Sequence, residues 1–458
     1  MKSSLTITPI ENRYLTKEMK KIFSEESKLQ TWLHVEAILA QVHAEFGHFS
    51  KKIAEEITEK ATLEFVQLSR VKKIDEEIHH DVMAMVKALS EVCEPKAAKF
   101  VHLGATSYDI VDTAWACMCA KALDVIEQRL VELVRILIRL SEDYKDTICV
   151  GRTHGQHALP YSYGMRFALW MEEVIRHIRR LYGCRNQSLV GKMSGAIGTM
   201  ASFSSDGIQL QERFLACLGL NPSQLTNQIV QRDNHADVMF LLVSIASTMA
   251  KISKQIRILQ RSEIGEIMEP IASMQVGSST MPMKRNPYKS ERISGLYRLL
   301  RSNLTCILDN NALMEDERDL ANSSVERIIF PQTFVLLDYI LSQLIYILPN
   351  LEFNLENIER NLKLTDSLMA ERIMLVLVEK GLGRQQAHEL LRKAARESLK
   401  TNRSFSEVLV SSDIISRALS RYELDELLDP QGYLGQATKL VDCSLSDART
   451  FLKELISR

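Results

Sequence analysis

Val276–Arg292 reads VGSSTMPMKRNPYKSER and breaks an otherwise helical chain. The segments on either side carry apolar residues at helical spacing, so this stretch is a junction between long helices. Gly277, Ser278 and Ser279 bend freely and offer backbone N–H groups and hydroxyls to an anion. Pro282 and Pro287 stop the helical ladder and fix φ, which keeps the loop from merging into either neighbour. Lys284 and Arg285 add positive charge, and Asn286 adds two donors. Such a loop can hold a carboxylate or phosphate beside polar chemistry. Residue types alone say no more.

The surrounding chain has 458 residues, enough for two or three domains. Only 10 prolines and 18 glycines interrupt it, and good helix formers are plentiful, so the expected fold class is all-α. A formal charge of −1 argues against a general nucleic-acid surface. The cysteines at 93, 117, 119, 149, 184, 217, 306 and 443 lack C-x-x-C spacing and are expected to be reduced core residues. The opening MKSSLTITPIENRY has no apolar secretion signal. The longest uncharged apolar stretches, such as Val238–Ala250 and Tyr339–Leu351, are short of the ~20 residues a membrane helix needs. The expectation is a cytoplasmic protein with no membrane and no nucleic-acid partner.

Upstream of the loop, Val238–Ile264 is apolar on most faces, which suits a bundle centre or a subunit contact. Downstream, helices are expected over Ser290–Leu308 and from Ile328 to Ile347, with the polar patch NNALMEDERDLANSSVER at Asn310–Arg327 between them. Further polar breaks are TNQIVQRDNHAD (Thr226–Asp237), GRTHGQHALP (Gly151–Pro160) and HLGATSYD (His102–Asp109). Thr106 and Asp109 form a capping-box-like pair that opens a helix reaching about Tyr144, and its N-terminus is a ready anion site. His154 and His157 sit at a turn, and histidine is the commonest general acid or base. Asp81 stands favourably at the start of an apolar helix, while adjacent His79 and His80 cannot both face one metal.

The glycines of Gly191–Phe203 follow no strand, which excludes a dinucleotide motif. Near the N-terminus, Lys28–Phe46 reads as an amphipathic helix burying Leu29, Trp32, Leu33, Ala37 and Ala40, with Arg13 and Tyr14 in a loop before it. Together these readings divide the chain into three helical domains, at 1–105, 106–350 and 351–458. About five long helices form the central bundle, whose apolar surface implies a homo-oligomer with a helical core.

GATSYDIVDTA, GRTHGQHALP and VGSSTMPMKRNP, in that order, resemble the three signature blocks of the fumarase/aspartase superfamily, whose members release fumarate from succinyl compounds. The resemblance runs over essentially the whole chain. Arg13-Tyr14, HHDV at His79–Val82, the QRD after Gln228 and ERDLANSSVER at Glu317–Arg327 look like its adenylosuccinate lyase branch. That resemblance implies β-elimination of fumarate from succinylated purine nucleotides, with no cofactor and no metal. Arg13, Tyr14, Ser323 and Arg327 would hold the 5′-phosphate and ribose, and Arg292 and Arg318, with His79, His80 and Asp81, would surround base and ribose. Thr106, Ser107, Gln228, Lys284 and Asn286 would bind the succinyl carboxylates, with Thr153 also against the substrate.

By the same resemblance, His154 would protonate the departing nitrogen and Ser278 would take the Cβ proton. Residue chemistry alone would name His154 as base, because a serine hydroxyl is a poor one. The resemblance also implies a homotetramer with active sites shared between subunits. Met283, His79, Glu315 and Asp316 depart from residues common in relatives, which bears on substrate detail. A sister activity (argininosuccinate lyase, aspartase or carboxymuconate cycloisomerase) would need no phosphate-binding arginines. A non-catalytic helical relative would have lost His154, Ser278, Lys284 and Asn286, all of which are present.

Overall fold

The computed structural model describes residues 9–271 and 280–456. The fold is all-α: helices account for 72% of it, and the strands among the described residues form three two-stranded ribbons. The chain divides into two compact units. One comprises the residues up to Val131 with Arg176–Ala250 and Ile293–Gln343; the other comprises Glu132–Ile175, Lys251–Arg292 and the chain from Leu344 onward.

The first unit has its core around the helix Glu25–Glu45. The sequence suggested one apolar face, yet Val35, Ile38, Leu39 and Val42 are buried as well. The helices Lys17–Phe23, Lys51–Lys60, Leu68–Ile78, Asp81–Val92 and Gly207–Leu218 all pack against it, so water reaches little of its surface. Arg13 and Tyr14 lie in a five-residue helical turn, Ile10–Tyr14, where a loop was expected.

The long helices run over Ser107–Asp143, Tyr163–Ser188, Arg232–Leu259, Tyr288–Ala312 and Ala321–Ile347. In the first, Cys119, Ala122, Leu123, Ile126 and Leu130 are fully buried at three- and four-residue spacing, the stripe a bundle helix presents to its core. The last begins seven residues before the expected Ile328. Asp319 makes this possible: its carboxylate accepts from Ala321 N at 2.6 Å and Glu315 N at 2.8 Å, capping a helix whose first two turns are polar. Pro331 therefore lies inside this helix rather than at its start.

Arg232–Leu259 and the run Ala321–Asn350 are long and apolar enough to cross a membrane by length and composition, although no uncharged run in the sequence approached that length. Most of each apolar stretch is buried inside the protein, as in core helices. All eight cysteines are free, but Cys217 and Cys443 are exposed rather than in the core.

The second unit contains the antiparallel hairpin Ile148–Thr153/Gln156–Ser162, where the sequence suggested only a turn. His154 and Gly155 form its two-residue connection with φ of 54° and 74°, the left-handed pair that suits the twist of a tight hairpin. Gly164 starts the next helix so close to the preceding one that a Cβ would lie 2.4 Å from Lys145 Cα. Toward the C-terminus, Ile373, Leu377, Leu391, Phe405, Leu409 and Leu424 close a separate small core.

Candidate active site

Most of the polar breaks meet in the first unit. The helix Leu68–Ile78 ends on His79 at φ 52°, a left-handed turn that starts the next helix at once. His80 caps that helix, its Nδ1 accepting from Met83 N at 3.3 Å. Asp81 then occupies the first turn, where the helix dipole favours a carboxylate. Its Oδ2 accepts from Arg327 Nη2 at 2.8 Å, and Arg327 Nε donates to Ser323 Oγ one turn earlier, at 3.3 Å. The Asp81–Arg327 pair is solvent-facing on the arginine side, so it is worth little in stability and a ligand anion can compete for the guanidinium.

On the other side of His80, its Nε2 lies 3.5 Å from Ser107 Oγ, at the N-terminus of the Ser107–Asp143 helix. The neighbouring Tyr108 ring carries the Arg318 guanidinium 3.9 Å from its centroid. Arg318 Nη1 donates to Gln228 Oε1 at 2.6 Å, and Gln228 Nε2 donates to the carbonyl of Ala196 at 3.0 Å. These contacts bring His80, Asp81, Ser107, Gln228, Arg318, Ser323 and Arg327 into linked groups from distant parts of the sequence. Tyr14 packs edge-on against Tyr339 at 5.1 Å, and Arg13 is exposed beside it.

Beneath these groups lie buried charges that local sequence patterns did not mark. Asp112 and Glu326 grip the fully buried Arg232 from both sides, with all four N–O distances between 2.9 and 3.1 Å. Asp112 also accepts from Val230 N, and Arg232 donates to Val230 O, which fixes the chain two residues after Gln228. Burial raises the Glu326 pKa, but Arg232 and His235 outweigh it and hold the carboxyl down at about 2. A second buried pair joins Asp109 to Lys192. The sequence marked Asp109 only as a helix-start acid, and its Oδ2 does accept from Thr106 N at 2.8 Å.

In the second unit, His154 is exposed at the hairpin tip with Thr153 beside it. The hairpin is braced by Glu266, whose carboxylate accepts from Arg152 at 2.6 Å, Tyr163 at 2.6 Å and Asn361 at 2.9 Å. Burial opposes its ionisation, but those donors keep its pKa below the ordinary value. His157 bonds Thr365 Oγ1 at 2.9 Å, and burial and then Arg152 lower its pKa. His157 is a half-buried bracing residue, whereas His154 is exposed.

Ser278 lies outside the described residues, as do Gly277 and Ser279 of the same loop. The flanks of that segment are tied together by Gln260, which accepts from Glu269 N at 2.8 Å and donates to Arg285 O at 2.9 Å. Glu269 in turn accepts from Lys289 N and Ser290 N, capping the Tyr288–Ala312 helix. Arg285, read from sequence as a loop cation, is paired with Glu352 at 2.6 Å. Lys284 is exposed, Asn286 is half-buried, and Arg292 stacks over Tyr288 at 5.1 Å.

The chain and its helical architecture have clear relatives. Residues 13–298 match the family described as Lyase, and residues 366–443 match the adenylosuccinate lyase C-terminus. Among solved structures, a fumarate lyase from Mesorhizobium sp. BNC1 superposes with TM-score 0.87 at 28% identity, covering 94% of this chain and 98% of that one. The 3-carboxy-cis,cis-muconate lactonizing enzyme of Pseudomonas putida superposes with TM-score 0.88 at 31% identity, over 97% and 99%. Fold and family match thus define a lyase of the fumarase/aspartase type. Adenylosuccinate lyase of Pyrococcus horikoshii is 50% identical over 95% of this chain and 97% of its own, and that of Methanocaldococcus jannaschii 46% over 96% and 95%. The chain belongs to the adenylosuccinate lyase family.

Proposed function

We infer that this carbon–nitrogen lyase cleaves adenylosuccinate to AMP and fumarate, and cleaves the corresponding succinylaminoimidazole-carboxamide ribotide. The observation that carries this reading is near-full-length identity to adenylosuccinate lyases from several organisms, 50% in the case quoted above. In the first unit, Arg327, Ser323, Arg13 and Tyr14 would take the 5′-phosphate and ribose, and Arg318, His79, His80 and Asp81 would line the nucleoside. Gln228, Thr106 and Ser107 would hold succinyl carboxylates at a helix N-terminus.

Elimination removes a proton from Cβ, and its electron pair becomes the new C=C bond as the C–N bond breaks. Ser278 would accept the proton and His154 would protonate the departing nitrogen. Lys284, Asn286 and Thr153 would face the carboxylate on which negative charge develops, and Arg292 the base; fixed donors there lower the barrier most in a site that excludes water. We also propose a cytoplasmic homotetramer whose subunits share active sites. Exposed Phe240 and Ile328 on the long helices support an oligomer, since apolar side chains of that size gain most from being covered.

The test is ultraviolet absorbance of the purified protein with adenylosuccinate and no added metal or cofactor. Production of AMP and fumarate at an ordinary enzymatic rate is the expected result. No turnover, with activity on argininosuccinate or aspartate instead, would overturn the substrate.

A further inference from the structure

We propose that the buried Lys192–Asp109 pair is a positioning device for Gln228, acting through the carbonyl of Ala196. The proposal rests on Gln228 as a carboxylate-binding residue. Both charged side chains are fully buried. Asp109 Oδ1 accepts from Lys192 Nζ and from Ser194 N at 2.9 Å, and Oδ2 accepts from Thr106 N at 2.8 Å and Gly195 N at 3.1 Å. One carboxylate therefore fixes the residue that opens the Ser107–Asp143 helix and two consecutive amides of the glycine-rich segment.

The backbone of that segment has little freedom left. Lys192 N donates to Thr113 Oγ1 at 3.1 Å, and Ser194 Oγ bonds Thr226 Oγ1 at 2.7 Å. Gly195 and Gly198 adopt φ of 76° and 83°, and a Cβ on Gly198 would lie 1.9 Å from Thr226 O. The Ala196 carbonyl follows directly after the two anchored amides and meets Gln228 Nε2 at 3.0 Å.

This contact decides which way the Gln228 amide faces. A carbonyl can only accept, and the Arg318 guanidinium on the other side can only donate. The amide is thereby locked with Nε2 toward Ala196, so its second N–H is the group available to a carboxylate. The flipped amide would set its oxygen against a carboxylate oxygen. A buried ion pair seldom improves stability over well-packed apolar residues, whereas a fixed local conformation is something it can supply.

The deciding experiment is a double-mutant cycle on the full chain, using Lys192→Met, Gln228→Ala and both together, with KM and kcat measured on adenylosuccinate. Lys192→Met should raise KM about tenfold in the parent, the scale of one misplaced hydrogen bond, and by less than about twofold once Gln228 is alanine. Equal losses in both backgrounds, or an unchanged KM, would overturn the positioning role. If Lys192→Met does not fold, the combined Lys192→Met/Asp109→Asn change takes its place in both backgrounds, because it removes both buried charges and leaves no unpaired carboxylate behind. A parent protein that binds fumarate but does not cleave adenylosuccinate would overturn the substrate reading alone. The same cycle read by fumarate affinity would then decide the positioning role.

Discussion

Glu326→Gln tests the electrostatics of the buried charges around Arg232. Glu326 makes a two-pronged pair with Arg232, Nε to Oε1 at 2.9 Å and Nη2 to Oε2 at 3.0 Å, with the arginine fully buried. Burial alone would raise the carboxyl pKa, yet Arg232 and then His235 bring it from the ordinary 4.5 to about 2. A difference of that size corresponds to about 3 kcal/mol of preference for the ionised carboxylate. Because the folded pKa is depressed, this stabilisation is fully present above pH 4.5 and is lost as pH falls toward 2. Urea unfolding followed by circular dichroism should find the variant less stable than the parent by about 3 kcal/mol at pH 7. By pH 3 about half of that difference should have gone, because the parent has by then lost much of its advantage. A gap that is absent at pH 7, or that stays constant down to pH 3, would refute the reasoning.

His154→Ala should lower kcat by about 10²–10⁴-fold with a much smaller change in KM, as loss of a general acid does; steady-state turnover near that of the parent would reject the assignment. Arg327→Ala should weaken AMP inhibition by about tenfold, since a charged hydrogen bond to phosphate is lost, and an unchanged inhibition constant would point to a substrate without phosphate. Gly164→Ala places a Cβ 2.4 Å from Lys145 Cα and 2.5 Å from Ser141 O, both backbone atoms that cannot swing away. It should cost roughly 1–3 kcal/mol, and an unaltered thermal midpoint would show that the hairpin–helix junction is looser than its geometry implies.

How far the sequence could be read depended on the range of the interaction involved. The helix expected from Thr106–Asp109 to about Tyr144 is Ser107–Asp143, because its start, its apolar stripe and its end are all local signals. The hairpin at 148–162 was missed because its connection is His154-Gly155, where the usual signal is Asn-Gly or Asp-Gly. The start of Ala321–Ile347 was missed because ANSSVER looks like a break by composition. Those polar residues are helical, and they place Ser323 and Arg327 one turn apart, with Arg327 reaching Asp81. The deepest omission was in the charges: Asp109 meets Lys192, and Asp112 meets Arg232, across separations of 83 and 120 residues that no periodicity can register. The exposed side chains resembled those of a known chemistry, and the buried charges that orient them became legible only when the helices were packed. A substitution at Asp109 or Arg232 should therefore disturb binding without touching a ligand, which is how residues beneath a site differ from residues in it.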